Sequence, residues 1–277
     1  MADGCHEFGY TALLLKSAKP DDEYHDTIAS KCHLKVFSIP VLDFSFKNLE
    51  LFKDCLLEID QYSGLIFTSP RSVEAFSRSL FGIDLKSNTP VKTSLQRLKV
   101  FVVGKATEKA AVKAFGDADI LQKICKGGNE GSAENLAKFI LSLEEIRNDS
   151  RALLFICGNI AKNTLPSMLE NANVRLKSLC VYDTHPHPKF CENFENFLIT
   201  HGDPTVIVFF SPSGAEFYLE DIRGMVENFQ QMKIIVIGQT TANFFHQKKY
   251  HVHGISEKPN AESLSQSIKD VIDQLQS

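Results

Sequence analysis

The sequence predicts an α/β protein built from two similar parallel sheets, each covered by helices. Three observations carry that expectation: an internal repeat, short β-branched runs that are apolar on both faces, and an amphipathic stretch after each run. At 277 residues the chain suits two domains of about 130–140 residues better than one.

The repeat organises everything else. Ala12–Leu14 (ALL) recurs as Ala152–Leu154, and Ser38–Asp43 (SIPVLD) recurs as Ser178–Asp183 (SLCVYD), both 140 residues on. Leu65–Pro70 (LIFTSP) recurs as Ile207–Pro212 (IVFFSP) at an offset of 142, and Lys99–Gly104 (KVFVVG) as Lys233–Gly238 (KIIVIG) at 134. Ser132–Leu136 (SAENL) matches Asn260–Leu264 (NAESL) at 128. Each match alone is weak, but their common order and slowly drifting offsets indicate a duplication.

Both copies have the same local grammar. Runs such as LIF and VFVV lack polar residues at alternate positions, as strands covered on both faces should. A small turn follows (SPR, GKA, CGN, SPS or GQT), then a helical stretch: 71–81, 106–115, 162–171, 213–222 and 240–249. Strands alternating with helices of this length give a parallel sheet with helices on both sides. The last helix of each copy opens on a capping residue, Ser132 or Asn260. Glu134 or Glu262 follows in the first turn, where the helix dipole favours an acid.

Composition excludes several classes. Thirty basic against 34 acidic residues leave a net charge of -4, the wrong field for a protein that grips nucleic acid. No apolar run reaches the ~18–20 residues of a membrane span, so no membrane partner is expected. The first ten residues, MADGCHEFGY, lack the pattern of a secretory signal. The seven cysteines form no Cys-x-x-Cys and several lie in apolar runs, as buried thiols of a cytoplasmic protein would.

Ligands of open parallel sheets bind beyond the carboxyl ends of the strands. Here those ends carry small donors: Thr68, Ser69, Gly104, Cys157–Asn159, Ser211, Ser213, Gly214, Gly238, Thr240 and Thr241. Each turn precedes a helix whose first N–H groups are unpaired and partly positive. Two such rims facing one another across a cleft would hold a polyanion without many Lys or Arg. The alternative is that strand-to-helix turns use Gly, Ser and Pro for conformational reasons alone.

Other motifs point less firmly to chemistry. No Walker loop is present, and Gly127–Gly131 (GGNEG) lacks a dinucleotide spacing and suggests a mobile loop. Cys180, His185, His187 and Cys191 match no standard zinc spacing, so no metal site is assigned. Cys157 lacks the frame of a nucleophile elbow and suggests a packed thiol. Tyr182 breaks the repeat's symmetry, because Leu42 stands at its equivalent position. A phenol can donate a hydrogen bond or a proton to a leaving oxygen; the competing reading is a core or linker tyrosine.

The blocks GLIFTSPRSVEAF (64–76), VFVVGKAT (100–107), LLFICGN (153–159), CVYDT (180–184), FFSPSG (209–214) and IGQTTA (237–242), in that order, resemble uroporphyrinogen-III synthase of the animal type. The resemblance runs from LLLK at 13–16 to the final helix. It departs at Gln239, where the family often carries proline, and the first nine or so residues match no family role.

The resemblance implies a cofactor-free enzyme of haem biosynthesis, a lyase whose substrate is the linear tetrapyrrole hydroxymethylbilane, with four acetate and four propionate side chains. The reaction loses water, inverts ring D and closes the macrocycle. It also implies a two-domain, flavodoxin-like architecture in which one domain is discontinuous and a two-stranded linker joins the pair. By aligned position, domain 1 is 1–40 with 187–277, domain 2 is 58–178, and the linkers are 41–57 and 179–186; a cut at the repeat boundary near Ser150 would give contiguous halves instead. Tyr182 is then the candidate for assisting hydroxyl departure. Thr68, Ser69, Arg71 and Thr107 of domain 2, with Ser211, Ser213, Gly214, Thr240 and Thr241 of domain 1, are the candidate substrate-binding residues. For Arg71, pairing with a carboxylate and capping its own helix stand equal. The expected partner is the tetrapyrrole alone, for a monomer that meets the enzyme supplying hydroxymethylbilane only transiently. A non-catalytic two-lobed binding protein for small anions would present a similar cleft, and a two-domain glycosyl or phosphoryl transferase would normally show a nucleotide fingerprint that is missing here.

Overall fold

The computed structural model describes residues 9–18, 22–117, 124–126 and 132–276; Gly127–Gly131 and most of the N-terminal extension lie outside them. In chain order, β1 (Thr11–Leu15) is followed by α1 (Glu23–Cys32), β2 (Lys35–Ser38), β3 (Leu42–Phe46) and α2 (Leu49–Leu57). A short 3-10 turn leads into β4 (Tyr62–Phe67), α3 (Pro70–Phe81), α4 (Thr89–Arg97), β5 (Lys99–Val102), α5 (Lys105–Asp117) and β6 (Ile124–Lys126). Next come α6 (Ala133–Ser142), α7 (Glu144–Arg147), β7 (Ala152–Gly158), α8 (Thr164–Asn171) and β8 (Leu176–Pro186). The chain closes with α9 (Phe190–His201), β9 (Val206–Phe209), α10 (Pro212–Met225), β10 (Lys233–Ile237), α11 (Gly238–Gln247), β11 (Gly254–Ser256) and α12 (Ala261–Gln276).

The chain forms two compact units, Met1–Asp43 with His185–Ser277, and Phe44–Thr184. One sheet has the order β11-β10-β9-β1-β2 and the other β3-β8-β7-β4-β5-β6. The pairs β1–β2, β1–β9, β9–β10 and β10–β11 are parallel, as are β4–β5, β4–β7, β5–β6 and β7–β8. Apart from β3 at its edge, the second sheet repeats the first strand for strand. By the sequence offsets, β2 corresponds to β8, β1 to β7, β9 to β4, β10 to β5 and β11 to β6. The two copies have therefore exchanged parts: β1 and β2 of the first copy complete the sheet of β9–β11, while β7 and β8 of the second complete the sheet of β4–β6. Cutting near Ser150 would sever β7 from β4, its hydrogen-bonded neighbour.

Each sheet sends alternate residues to opposite faces, so both faces must be covered. In the second unit Leu65, Phe67, Val100 and Val102 pack with Phe52 of α2, Phe76 of α3, Leu95 of α4 and Phe115 of α5. Ile66, Phe101, Leu153 and Phe155 face the other way, onto Leu136 and Ile140 of α6 and Leu165 and Leu169 of α8. In the first unit Leu13, Ile207, Phe209 and Val236 meet Phe190 and Phe194 of α9, Leu219 of α10 and Phe245 of α11. Ala12, Leu14, Val208 and Ile235 meet Ile28 of α1 and Leu264, Ile268 and Ile272 of α12.

Helix starts follow their caps. The helices expected from 71 and 213 begin one residue earlier, at Pro70 and Pro212, because proline fits the first helical position, where its missing N–H costs nothing. The helix expected at 240–249 begins at Gly238 and ends at Gln247. Ser132 Oγ accepts from Asn135 N at 3.1 Å, and Asn260 Oδ1 from Ser263 N at 2.8 Å, so both capping residues do cap. Among the described residues no helix is long and apolar enough to cross a membrane.

Candidate active site

Every predicted site residue except Tyr182 stands at the carboxyl end of a strand or in the first turn of the helix after it. Those residues lie in two kinds of turn, each present once in either unit. The Ser-Pro turns are self-contained. Ser69 (φ −152°, ψ 152°) and Ser211 (φ −157°, ψ 155°) have nearly identical backbones. Ser69 Oγ accepts from Ser72 N at 3.1 Å and Ser211 Oγ from Gly214 N at 3.3 Å. The Ser211 hydroxyl and the Gly214 amide, expected as ligand donors, thus bond each other. A Cβ on Gly214 would also lie 2.9 Å from Val41 Cγ2, so its glycine is explained by packing. Thr68 and Ser213 are half-buried beside these caps.

The Gly turns are open. Gly104 (φ 81°) and Gly238 (φ 76°) both occupy the left-handed region that favours glycine. In α5 the chain bond from Glu108 N to Gly104 O, at 3.0 Å, closes the first turn. Lys105, Ala106 and Thr107 precede it, as Gly238, Gln239 and Thr240 stand in the first turn of α11, where N–H groups have no partner within the helix. No side-chain hydrogen bond caps α11. Thr107 and Thr241 are only 3% and 2% exposed, and Thr241 Oγ1 donates to Ile237 O at 2.8 Å. Their hydroxyls are thus withdrawn from the surface, and what these turns offer a ligand is backbone. Thr240 is exposed. Gln239 brings an N–H to this turn; its side chain donates to Asn243 Oδ1 at 2.9 Å.

Tyr182 lies on β8, where the pairing with β7 slips: Cys157 faces Cys180, and the next pair is Gly158 with Tyr182. Its hydroxyl is 2.9 Å from Ser69 Oγ, with either atom able to donate. Burial pushes the phenol's pKa above its ordinary value, and the Ser69 bond and the Arg71 charge oppose that only in part, so Tyr182 carries its proton at neutral pH. The ring meets Phe44 edge-on at 6.4 Å between centroids, and the Arg71 guanidinium lies 3.3 Å from the centre of the Phe44 ring. Arg71 therefore does something that neither expectation for it anticipated: it stacks on an aromatic ring.

Several rim residues carry no signal that singles them out in the sequence. Lys16, just past β1, is ion-paired with Asp22, which also caps α1 by accepting from Tyr24 N at 3.3 Å. His25 Nε2 and Ser38 Oγ are 2.7 Å apart at the end of β2. For Asp22 alone a weak cue exists, a polar residue directly before the α1 stretch. On β7, burial pushes the Cys157 thiol up to about 11, which keeps it from being a thiolate nucleophile at neutral pH. His185 and Pro186 end β8, and among the described residues no three His, Cys, Asp or Glu gather as a metal-holding group.

Comparison with known proteins agrees over nearly the whole chain. The family model of uroporphyrinogen-III synthase HemD matches residues 22–266. A uroporphyrinogen-III synthase of Schizosaccharomyces pombe is 29% identical over 93% of this chain and 96% of its own length. That of Saccharomyces cerevisiae is 24% identical over 93% and 94%. Among solved structures, uroporphyrinogen-III synthetase from Helicobacter pylori superposes with a TM-score of 0.60 at 17% identity, covering 96% of this chain and 99% of that one. A mutant Thermus thermophilus uroporphyrinogen III synthase gives 0.59 at 15% identity, covering 96% and 99%. At those identities the superpositions speak for the fold.

Proposed function

The chain belongs to the uroporphyrinogen-III synthase family, and from that premise we propose that it closes hydroxymethylbilane to uroporphyrinogen III, inverting ring D and releasing water, with no cofactor. The substrate closes unaided to the uninverted isomer, so the protein's task is to favour one route. A hundredfold preference needs about 2.7 kcal/mol of differential transition-state stabilisation, within reach of a few hydrogen bonds that hold the carboxylates while ring D turns.

The open turns at Lys105–Thr107 and Gly238–Thr240 take carboxylates through backbone N–H groups, with Thr240 adding a hydroxyl and Thr241 bracing the α11 turn. Thr68 and Ser213 extend these rims, and Ser69, Ser211 and Gly214 shape them. Arg71, held on Phe44, supplies positive charge next to the reacting end. Tyr182 hands a hydrogen bond, and as the C–O bond breaks a proton, to the departing hydroxyl, with Ser69 as the neighbour that accepts from or donates to the phenol. Acid assistance and positioning suffice for every step. The enzyme acts in the cytoplasm as a monomer that meets the supplier of its short-lived substrate only transiently.

The observation that carries this reading is the protonated Tyr182 phenol set 2.9 Å from Ser69 Oγ at the carboxyl rim. The test supplies freshly made hydroxymethylbilane, oxidises the products and separates the type I and type III isomers. The type III isomer is expected to dominate; type I alone, at the spontaneous rate, would overturn the assignment and leave a binding protein. Tyr182→Phe should lower turnover several-fold with folding intact, and unchanged turnover removes the acid role.

A further inference from the structure

We propose that Gly158 and Asn159, at the end of β7, are positioning residues for Tyr182: they hold the bulge in β8 that aims the phenol at Ser69. The inference rests on the reading that Tyr182 assists ring closure. A parallel pair in regular register would have set Val181 opposite Gly158. Instead the pairing jumps from Cys157–Cys180 to Gly158–Tyr182, which turns the Tyr182 side chain back over the end of β7. The ring then occupies the space a side chain at 158 would need. A Cβ on Gly158 would lie 2.5 Å from both Cε2 and Cζ of Tyr182 and 2.9 Å from its hydroxyl oxygen.

Asn159 locks the slipped strand from both sides. Its N–H donates to Tyr182 O at 3.1 Å. Its side chain then pairs with both polar groups of the Thr184 backbone, accepting from Thr184 N at 2.8 Å and donating to Thr184 O at 3.2 Å. An amide side chain thus continues the ladder where β7 itself stops, and residues 182 and 184 are pinned to one strand end. Thr184 is buried and Asn159 exposed, so the clamp works at the surface on a strand that is not free to shift. Cys157 on β7, Cys180 on β8 and Arg71 on α3 are the titratable or charged groups beside the phenol.

The contacting atoms belong to the far end of a side chain, so Gly158→Ala displaces the Tyr182 ring rather than the strands. The test measures kcat, KM and isomer ratio for Gly158→Ala in the native and the Tyr182→Phe backgrounds, and follows the Tyr182 phenol by its tyrosinate absorbance on alkaline titration, using Tyr182→Phe as the blank. We expect kcat to fall about tenfold with KM nearly unchanged, little further loss in the Tyr182→Phe background, and a displaced titration midpoint for the phenol. Equal losses in both backgrounds, or an unmoved midpoint, would overturn the proposal by making Gly158 merely structural. If Gly158→Ala fails to fold, Asn159→Ala, which adds no atom, takes its place in the same measurements, with the same results expected and the same results fatal to the proposal. Should Tyr182→Phe alone leave kcat unaltered, the acid role falls, while the titration midpoint still decides whether Gly158 and Asn159 position the phenol.

Discussion

The duplication supplies its own control for the Tyr182–Ser69 contact. Ser69 and Ser211 cap α3 and α10 with matching backbone angles and cap bonds of 3.1 and 3.3 Å. Replacing either by alanine removes one N-cap, a loss of about 1 kcal/mol. Ser69 alone also holds a tyrosine hydroxyl, at 2.9 Å. Removing it strips a half-buried phenol of a partner, a further loss of roughly 1–2 kcal/mol. Local opening of the α3 start should then become about 30- to 150-fold more frequent in Ser69→Ala, against about fivefold for the α10 start in Ser211→Ala. Hydrogen exchange read by mass spectrometry on peptides covering the two helix starts measures both. In a Tyr182→Phe background the Ser69→Ala effect should shrink to that of Ser211→Ala. Equal acceleration of the two helix starts in the single variants would refute the reasoning, because the phenol would then be contributing nothing to the cap it touches.

Three further outcomes follow from the geometry. Gln239→Pro, at a first-turn position that tolerates proline, deletes one N–H of the open α11 turn; KM for hydroxymethylbilane should rise a few-fold with thermal stability unchanged, and an unaltered KM removes that amide from the binding role. Burial lowers His253 to about 4, and its Nδ1 accepts from Ile234 N at 3.1 Å, so the folded state disfavours the protonated ring. Its contribution to stability is complete above pH ~6.5 and lost as pH falls through about 4; denaturant melts of His253→Asn should show a flatter pH dependence in that window, and parallel curves would refute it. With its thiol pushed up to about 11, Cys157 should alkylate far more slowly at pH ~8 than the exposed Cys191, and comparable rates would contradict its burial.

Much of the architecture is legible because both copies state it. The runs LIF and IVF are buried on both faces as β4 and β9, and SPR and SPS begin helices with the same cap. Which copy of a strand pairs with which is not readable from the residues. β1 and β7 are near-identical apolar runs, either of which could serve β4 or β9, and the choice is made by long-range packing. At the site the positions are legible but their use is not. Ser211 and Gly214 carry donors in the right turn, yet their groups bond one another. Thr107 and Thr241 point inward because the helix phase demands it. Arg71 finds Phe44 on β3, a neighbour that no local spacing announces. The slip that aims Tyr182 leaves only a glycine at the end of a strand, Gly158, as its trace.

The exchange of strands between the copies has a consequence during synthesis. Phe44–Thr184 is continuous, so it can complete its sheet while the last third of the polypeptide is still being translated. β1 and β2 leave the ribosome first, but Ala12 pairs with Val206 and Leu15 with Phe209, residues made near the end. Until then an apolar two-stranded ribbon waits with one edge unsatisfied, the kind of species that aggregates or recruits a chaperone. Substitutions that slow translation or weaken β9 will therefore show first as poor yield of folded enzyme, and only afterwards as altered kinetics.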